Sequence, residues 1–264
     1  MELKLEGKRA LVSGSTAGIG WAIAAGLAAE GAEVVVNGRT QARVDAAMAA
    51  IRDRHPRATV RGFAADLGTA EGCARIAQAF PEVDVLVNNL GIFEVKSFLD
   101  IPDEEWKRFF EVNVLSGVRL SRTYLPGMLA RDWGRILFIS SESALQIPVE
   151  MIHYGMTKTA QLAVARGLAE SVAGTGVTVN SILAGPTRSE GVGQFLEGLA
   201  AQQGITAEQA ERTFFQTARP TSLLRRFATI EEVAAFTVFV ASGPASAVTG
   251  ASLRVDGGVV RAIV

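Results

Sequence analysis

Short apolar runs rich in β-branched residues alternate with alanine-rich stretches along the chain. This alternation constrains the fold more than any other feature. The strand-like runs are Arg9–Val12, Glu33–Val36, Val60–Ala64, Val83–Val87, Arg135–Ser140, Val177–Leu183 and Ser252–Val255. Several hold three or more apolar residues in a row, as strands covered on both faces of a parallel sheet do. Helix candidates lie between them, near 19–30, 41–54, 70–79, 103–112, 117–131, 152–173 and 229–241. Thr40 and Thr69 stand where N-caps belong. Asp103, Glu104 and Glu105 follow Pro102 in a first turn, where negative charge suits the helix dipole. The alternation predicts an α/β fold, a doubly wound parallel sheet with right-handed crossovers. Ligands of such sheets bind at the carboxyl ends of the strands, near the point where strand order reverses.

Residues 188–226 break the rhythm and carry no strand signal. They hold Phe195, Leu196 and Leu199, a capping-box pattern from Thr206 to Gln209, and then Phe214 and Phe215. One or two short helices with exposed apolar faces are expected. They form either a lid over a substrate cleft or a surface insertion packed on its own core.

Composition excludes several classes. Twenty-six basic and twenty-seven acidic side chains leave a net charge of −1, so no global field draws the chain to nucleic acid or an anionic membrane. One cysteine, Cys73, excludes an internal disulfide and any multi-cysteine zinc site, and two histidines, His55 and His153, leave little for a histidine-rich metal centre. No metal is expected. No apolar run approaches the ~20 residues of a membrane helix. The first residues alternate Glu2, Lys4 and Glu6 with apolar ones, unlike a signal peptide. A soluble, reduced, cytoplasmic protein is expected.

The first strand runs into Gly14-Ser15-Thr16-Ala17-Gly18-Ile19-Gly20 and then a helix. Gly14 permits a tight turn, Gly18 lets backbone approach a pyrophosphate, and Gly20 lets the helix pack close to the sheet. The helix start offers free N–H groups and a positive dipole end to phosphates. A carboxylate at the end of the second strand would bond ribose hydroxyls and repel a 2′-phosphate. Asn37-Gly38-Arg39-Thr40 has none there, and Arg39 offers a planar fork to that phosphate. NADP is therefore expected over NAD, with NAD possible and Arg39 otherwise a solvated residue at a helix start. Asp66 ends the third strand and either meets the adenine edge or caps the following helix.

Tyr154 and Lys158 are four apart at the start of a long helix and share one face. A free tyrosine ionises near pH 10, too high for ready proton exchange at neutral pH, and a nearby ammonium favours the phenolate. Ser141 ends the strand thirteen residues before Tyr154; its hydroxyl is placed to hold a substrate oxygen, with Ser140 and Ser143 as competitors. Asn113 lies between two helical stretches, where it satisfies backbone groups or holds a water. Asn88-Asn89-Leu90-Gly91 follows the fourth strand.

Gly14-xxx-Gly18-x-Gly20, Asn88-Asn89-Leu90-Gly91, Asn113, Ser141 and Tyr154-xxx-Lys158, in that order and spacing, resemble the short-chain dehydrogenase/reductase family over about residues 8–259, apart from 188–226. The resemblance implies a Rossmann-type sheet and hydride transfer between NAD(P)(H) and a carbonyl or secondary alcohol of a small molecule. It implies Tyr154 as general acid/base, Lys158 on the nicotinamide ribose, Ser141 orienting substrate and Asn113 anchoring a proton-relay water. It places Gly14, Ser15, Thr16, Gly18, Ile19 and Gly20 at the pyrophosphate and ribose, Asp66 and Leu67 at adenine, Asn88 on the adenosine side and Thr187 at the carboxamide. Residues 1–264 are read as one dinucleotide-binding and catalytic domain, with 188–226 as the substrate-side lid.

Three departures from the family pattern stand out. Leu90 replaces the usual Ala, the Pro-Gly after the sixth strand becomes Ala184-Gly185-Pro186-Thr187, and Ser15-Thr16-Ala17 lacks a basic residue. Within the family, a 3-oxoacyl thioester reductase is the alternative, with Arg119, Arg122, Arg131 and Arg135 as a basic docking face for an acyl carrier or as solvated side chains. A non-catalytic nucleotide-sensing protein is the alternative from another class. The resemblance further implies a homo-oligomer, with a tetramer favoured, packed through helices 103–131 and 152–173.

Overall fold

A computed structural model describes residues 1–263, apart from the side chains at positions 194, 195, 199 and 201–203; Phe195 and Leu199, singled out above, lie outside the described side chains. Among the described residues, seven strands form one parallel sheet: β1 Arg9–Val12, β2 Glu33–Gly38, β3 Val60–Ala64, β4 Val85–Asn88, β5 Gly134–Ser141, β6 Val177–Ala184 and β7 Ser252–Val255. Their order is β3-β2-β1-β4-β5-β6-β7, so the chain reverses direction across the sheet between β1 and β4. The helices are α1 Gly18–Ala29, α2 Gln41–Arg54, α3 Ala70–Ala79, α4 Asp103–Phe110, α5 Ser116–Ala130, α6 Ile152–Ser171, α7 Glu190–Gln203, α8 Ala207–Thr217 and α9 Ile230–Val240.

Successive residues of the central strands feed two cores. Ala10 and Val12 of β1, Val85 and Val87 of β4, and Leu137 and Ile139 of β5 pack under α1, α2 and α9. Leu11, Leu86, Ile136 and Phe138 point the other way, under α3, α5 and α6. That period of two, with both faces covered, is why these strands read as unbroken apolar runs. The doubly wound sheet expected from the sequence is the one observed.

Several boundaries differ by a residue or two, and three of the differences have clear tertiary causes. β4 starts at Val85, because the Asp84 carboxylate turns to the Arg9 backbone and guanidinium and to Arg131. β2 runs on to Gly38, since Asn37 and Gly38 pair with Phe63 and Ala64 of β3. The helix expected over 103–112 closes at Phe110 and continues as a π turn over Glu111–Leu115.

Segment 188–226 contains α7 and α8. Thr206 and Gln209 form the expected reciprocal capping box. Leu196, Ala200, Ala210, Phe215 and Phe227 make a small core of their own. The opposite side of the same segment faces the cavity described below.

Candidate active site

The candidate site sits at the carboxyl ends of β1, β4, β5 and β6. Gly14 and Gly18 adopt left-handed φ values of 61° and 58°, which glycine takes without strain. At Gly20 a Cβ would stand 2.5 Å from the Gly14 carbonyl oxygen and 2.4 Å from Asn89 Nδ2. The turn is tied down from both sides. Ser15 Oγ donates to the Val12 oxygen at 2.6 Å and accepts from the Asn37 N–H at 2.9 Å. Asn37 Oδ1 accepts from the Gly14 N–H, and its amide donates to the oxygens of Phe63 and Ala65. Ser13 Oγ accepts the N–H groups of Asn89 and Leu90, so Leu90 leaves the turn's backbone bonds intact. The α1 N-terminus, by contrast, has no side-chain cap on Ala17 and no acidic residue in its first turn. Its first N–H groups and dipole end are therefore available to an anion, as a pyrophosphate cradle requires.

Around that cradle, Arg39 is exposed at the end of β2, and Thr16 packs on Gly38. Asp66 is exposed; its Oδ1 accepts from the Gly68 N–H and its backbone oxygen from Thr69 Oγ1, so it shapes the turn into α3. The Leu67 side chain is in the core. Asn88 is buried with its amide donating to Ser121 Oγ, away from the cleft. Asn89 instead faces the cleft and donates to the oxygens of Ser13 and Gly14. Thr187 is buried in a bridge with Ala228, its hydroxyl donating to the Gly185 oxygen. Ile19 and Thr187 both line the cavity.

Ser141 ends β5 and Tyr154 opens α6, and both reach the same cavity. Of the three candidate serines, Ser140 donates to the Lys158 carbonyl oxygen and so pins α6 to β5. Ser143 supports Ser141 by donating its N–H to Ser141 Oγ at 3.1 Å. Ser141 Oγ donates in turn to Glu142 Oε2 at 2.5 Å. Asn113 is buried in the π turn, a distortion common at functional sites. Its side chain brackets the Ile92 backbone and donates to Thr157 Oγ1, tying the loop after β4 to α6. Its carbonyl oxygen accepts from Gln161 Nε2 at 2.6 Å, and Gln161 Oε1 accepts from Lys158 Nζ at 3.3 Å. Gln161, three residues after Lys158 on the same face of α6, thus links the Asn113 carbonyl oxygen to the Lys158 ammonium, and its spacing from Lys158 is the signal that could have found it.

Burial pushes the Tyr154 phenol up, and the Glu142 carboxylate adds to this; Ser141 and Arg219 oppose it. The Lys158 Nζ lies 5.6 Å from the centre of the Tyr154 ring and donates to the Ile139 oxygen at 2.9 Å. Burial in turn pulls Lys158 down to about 8. The unfolded chain, with lysine near its ordinary 10.5, holds more protons above pH 8, so this group makes the fold more stable as pH rises from about 8 towards 10.5. In the ligand-free protein, the gain in unfolding free energy from about pH 7 to 9.5 should be about 2 kcal/mol larger than in Lys158→Met. Denaturant titrations at those two pH values check this; equal gains would mean the ammonium is solvated.

The cavity is about 620 Å³ and runs from Ile19 and Gly91 past Tyr154 to α8. Phe93, Val95, Met151, Val192 and Phe214 give it largely apolar walls. Two charged residues escaped the sequence reading. Glu142 and Arg219, 77 positions apart, form a buried ion pair with Nε to Oε1 at 2.8 Å. The four arginines considered as a docking face do not form one. Arg135 is fully buried and donates to the oxygens of Ser242, Gly134 and Gly176. Arg119 pairs with Glu111, Arg131 pairs with Asp84, and Arg122 is exposed. His153 is buried against Phe109, at 4.0 Å between ring centres, and packs as a neutral ring. Among the described residues, no cluster of His, Cys, Asp or Glu could hold a metal ion, and no helix is long and apolar enough to cross a membrane.

Residues 14–260 match the family model described as enoyl-(acyl carrier protein) reductase. The chain is 50% identical to the uncharacterised oxidoreductase YvaG of Bacillus subtilis over 263 residues, covering both chains fully. It is 38% identical to D-beta-hydroxybutyrate dehydrogenase of Cupriavidus necator, covering 96% of this chain and 98% of that one. Among solved structures, L-sorbose reductase from Gluconobacter frateurii, complexed with NADPH and L-sorbose, superposes with a TM-score of 0.94 at 31% identity, covering both chains fully. With the glycine turn, the Ser141–Tyr154–Lys158 arrangement and these relatives together, the chain belongs to the short-chain dehydrogenase/reductase family of oxidoreductases.

Proposed function

We propose that this protein is an NADP(H)-dependent reductase that interconverts a carbonyl compound and its secondary alcohol. The observation that carries the reading is the convergence of Ser141 and Tyr154 on one cavity that begins at an uncapped, glycine-lined helix start. When bound, NADPH supplies the hydride to the carbonyl carbon. Ser141 holds the substrate oxygen, and the Tyr154 hydroxyl delivers a proton to it. Burial keeps Tyr154 in its phenol form, the form that can donate. Lys158 holds the nicotinamide ribose, and Asn113 and Gln161 fix the wall behind it. The glycine turn from Gly14 to Gly20 receives the pyrophosphate, and Thr187 meets the carboxamide.

Preference for NADP rests on Arg39, exposed and without a carboxylate beside it on β2. Both L-sorbose reductase and a gluconate 5-dehydrogenase homologue of Beutenbergia cavernae carry the phosphorylated cofactor in their structures, which supports the same choice. Segment 188–226 acts as the lid of a single catalytic domain, since Val192, Thr213, Phe214 and Arg219 face the cavity while its own core lies behind them. Burial of Arg135 and pairing of Arg119 and Arg131 remove the main support for an acyl-carrier docking face. Assembly as a homotetramer is part of the proposal and is checked by light scattering.

The test is NADPH consumption against a panel of small ketones and aldehydes. NADPH should be consumed in preference to NADH, and Arg39→Glu should lower that preference by about tenfold or more, the size of one charge-assisted phosphate contact. Binding of NADPH without turnover of any carbonyl would favour a nucleotide sensor instead.

A further inference from the structure

Glu142, Glu150 and Arg219 form the charged end of the cavity, beyond Ser141 and away from the glycine turn. Arg219 follows α8 and is almost fully buried, as is Glu142. Its Nε donates to Glu142 Oε1 at 2.8 Å, and its Nη1 donates to the Ala218 oxygen at 2.8 Å and stands 3.6 Å from Glu150 Oε1. One guanidinium therefore serves two carboxylates, and the cluster carries one excess negative charge. The second Glu142 oxygen accepts the Ser141 hydroxyl at 2.5 Å. The Ser143 N–H also points at Ser141 Oγ, so Glu142 stands directly beside the group that is to hold the reacting oxygen.

We propose that this cavity selects uncharged carbonyl compounds and their alcohols, with Glu142 and Glu150 sharing Arg219 as the residues that exclude substrates bearing a carboxylate. The inference rests on the catalytic reading above and narrows its substrate class. A substrate oxygen held by Ser141 puts a carboxylate two or three bonds away into the end of the cavity that Glu142 and Glu150 share, where like charges repel in a site shielded from water. A third carboxylate would have to share a guanidinium that two already claim. The neighbouring apolar walls, Phe93, Val95, Met151 and Phe214, carry no charge, and the Lys158 ammonium is bonded to the Ile139 and Gln161 oxygens. An uncharged substrate meets no such barrier and buries its carbon skeleton against those side chains.

Acetoacetate and its ethyl ester share the reacting ketone, and one bears a carboxylate where the other bears an uncharged ester. With NADPH, the ester should be reduced with kcat/KM about a hundredfold above that of the acid. Glu150→Gln should narrow that ratio by about tenfold, because it removes the excess charge. Affinity of the same two compounds for the enzyme–NADPH complex, read from the fluorescence of bound NADPH, should show the same order. A ratio near one in either measurement, a preference for the acid, no binding of either compound, or a ratio unmoved in Glu150→Gln overturns the proposal. Preference for the acid would make Arg219 an anion receptor. Selective binding of the ester without its reduction would uphold the selectivity and count against the catalytic reading instead.

Discussion

Replacing Tyr154 with Phe should lower NADPH-dependent carbonyl reduction by about a thousandfold or more, while NADPH affinity changes by less than about threefold. The substitution removes one hydroxyl and keeps the ring. The ring's packing is edge-on to Phe93, with centres 6.4 Å apart, and a phenyl group preserves it. The hydroxyl's polar neighbours are Ser141 and Glu142 at the substrate end, not the glycine turn that receives the pyrophosphate. Its loss therefore falls on proton delivery and spares the fold. Because Ser141 and Tyr154 act on the same oxygen, the double variant Tyr154→Phe with Ser141→Ala should lose little beyond the single one. Steady-state rates with any accepted ketone, beside a fluorescence titration with NADPH, decide the matter. Undiminished turnover in Tyr154→Phe would remove the phenol from the reaction.

The elements most legible in the sequence are those whose signals are local. β1, β3, β7, α2 and α3 begin and end where the apolar runs, N-cap threonines and alanine-rich stretches put them. Thr69 caps α3 by accepting from the Gly72 N–H, whereas Thr40 stands at the start of α2 with no side-chain bond. What the sequence left hidden depends on partners far along the chain. Asp84 belongs outside β4 because Arg9 and Arg131 take its carboxylate. The π turn at Asn113 is held by Thr157 and Gln161 of α6, more than forty residues away. Arg135 reads as a surface cation, yet three carbonyl oxygens and the Trp133 ring enclose it.

The same division runs through the site. Motif order brings out Ser141, Tyr154 and Lys158, and the strand ends explain why they meet. Spacing by four says that Tyr154 and Lys158 share a face, but not where the ammonium points. Lys158 reaches down to the Ile139 oxygen near the end of β5, while burial, Glu142, Ser141 and Arg219 act on the phenol. Glu142 and Arg219 had no local signature at all, since each becomes meaningful only when the residues after α8 meet those after β5.

One substitution made at two glycines should have opposite effects, and the contrast isolates the cofactor cradle. Gly20→Ala places a methyl group 2.5 Å from the Gly14 carbonyl oxygen and 2.4 Å from Asn89 Nδ2. Neither can withdraw freely: Gly14 is bonded through its N–H to Asn37, and Asn89 holds the oxygens of Ser13 and Gly14. The turn must open, at a cost of about 2 kcal/mol in stability, within the range of overpacked interiors. The displaced backbone is the surface proposed to receive the pyrophosphate, so NADPH affinity should fall by about tenfold or more as well. Gly198 lies on the exposed side of α7, and a Cβ there meets nothing within 4 Å. Gly198→Ala should raise stability by about 1 kcal/mol through helix propensity and leave NADPH affinity unchanged. Thermal unfolding and NADPH titration of the two variants read both effects. If Gly20→Ala bound NADPH as the parent does, the turn at the end of β1 would not be the phosphate cradle, whatever its glycine spacing suggests.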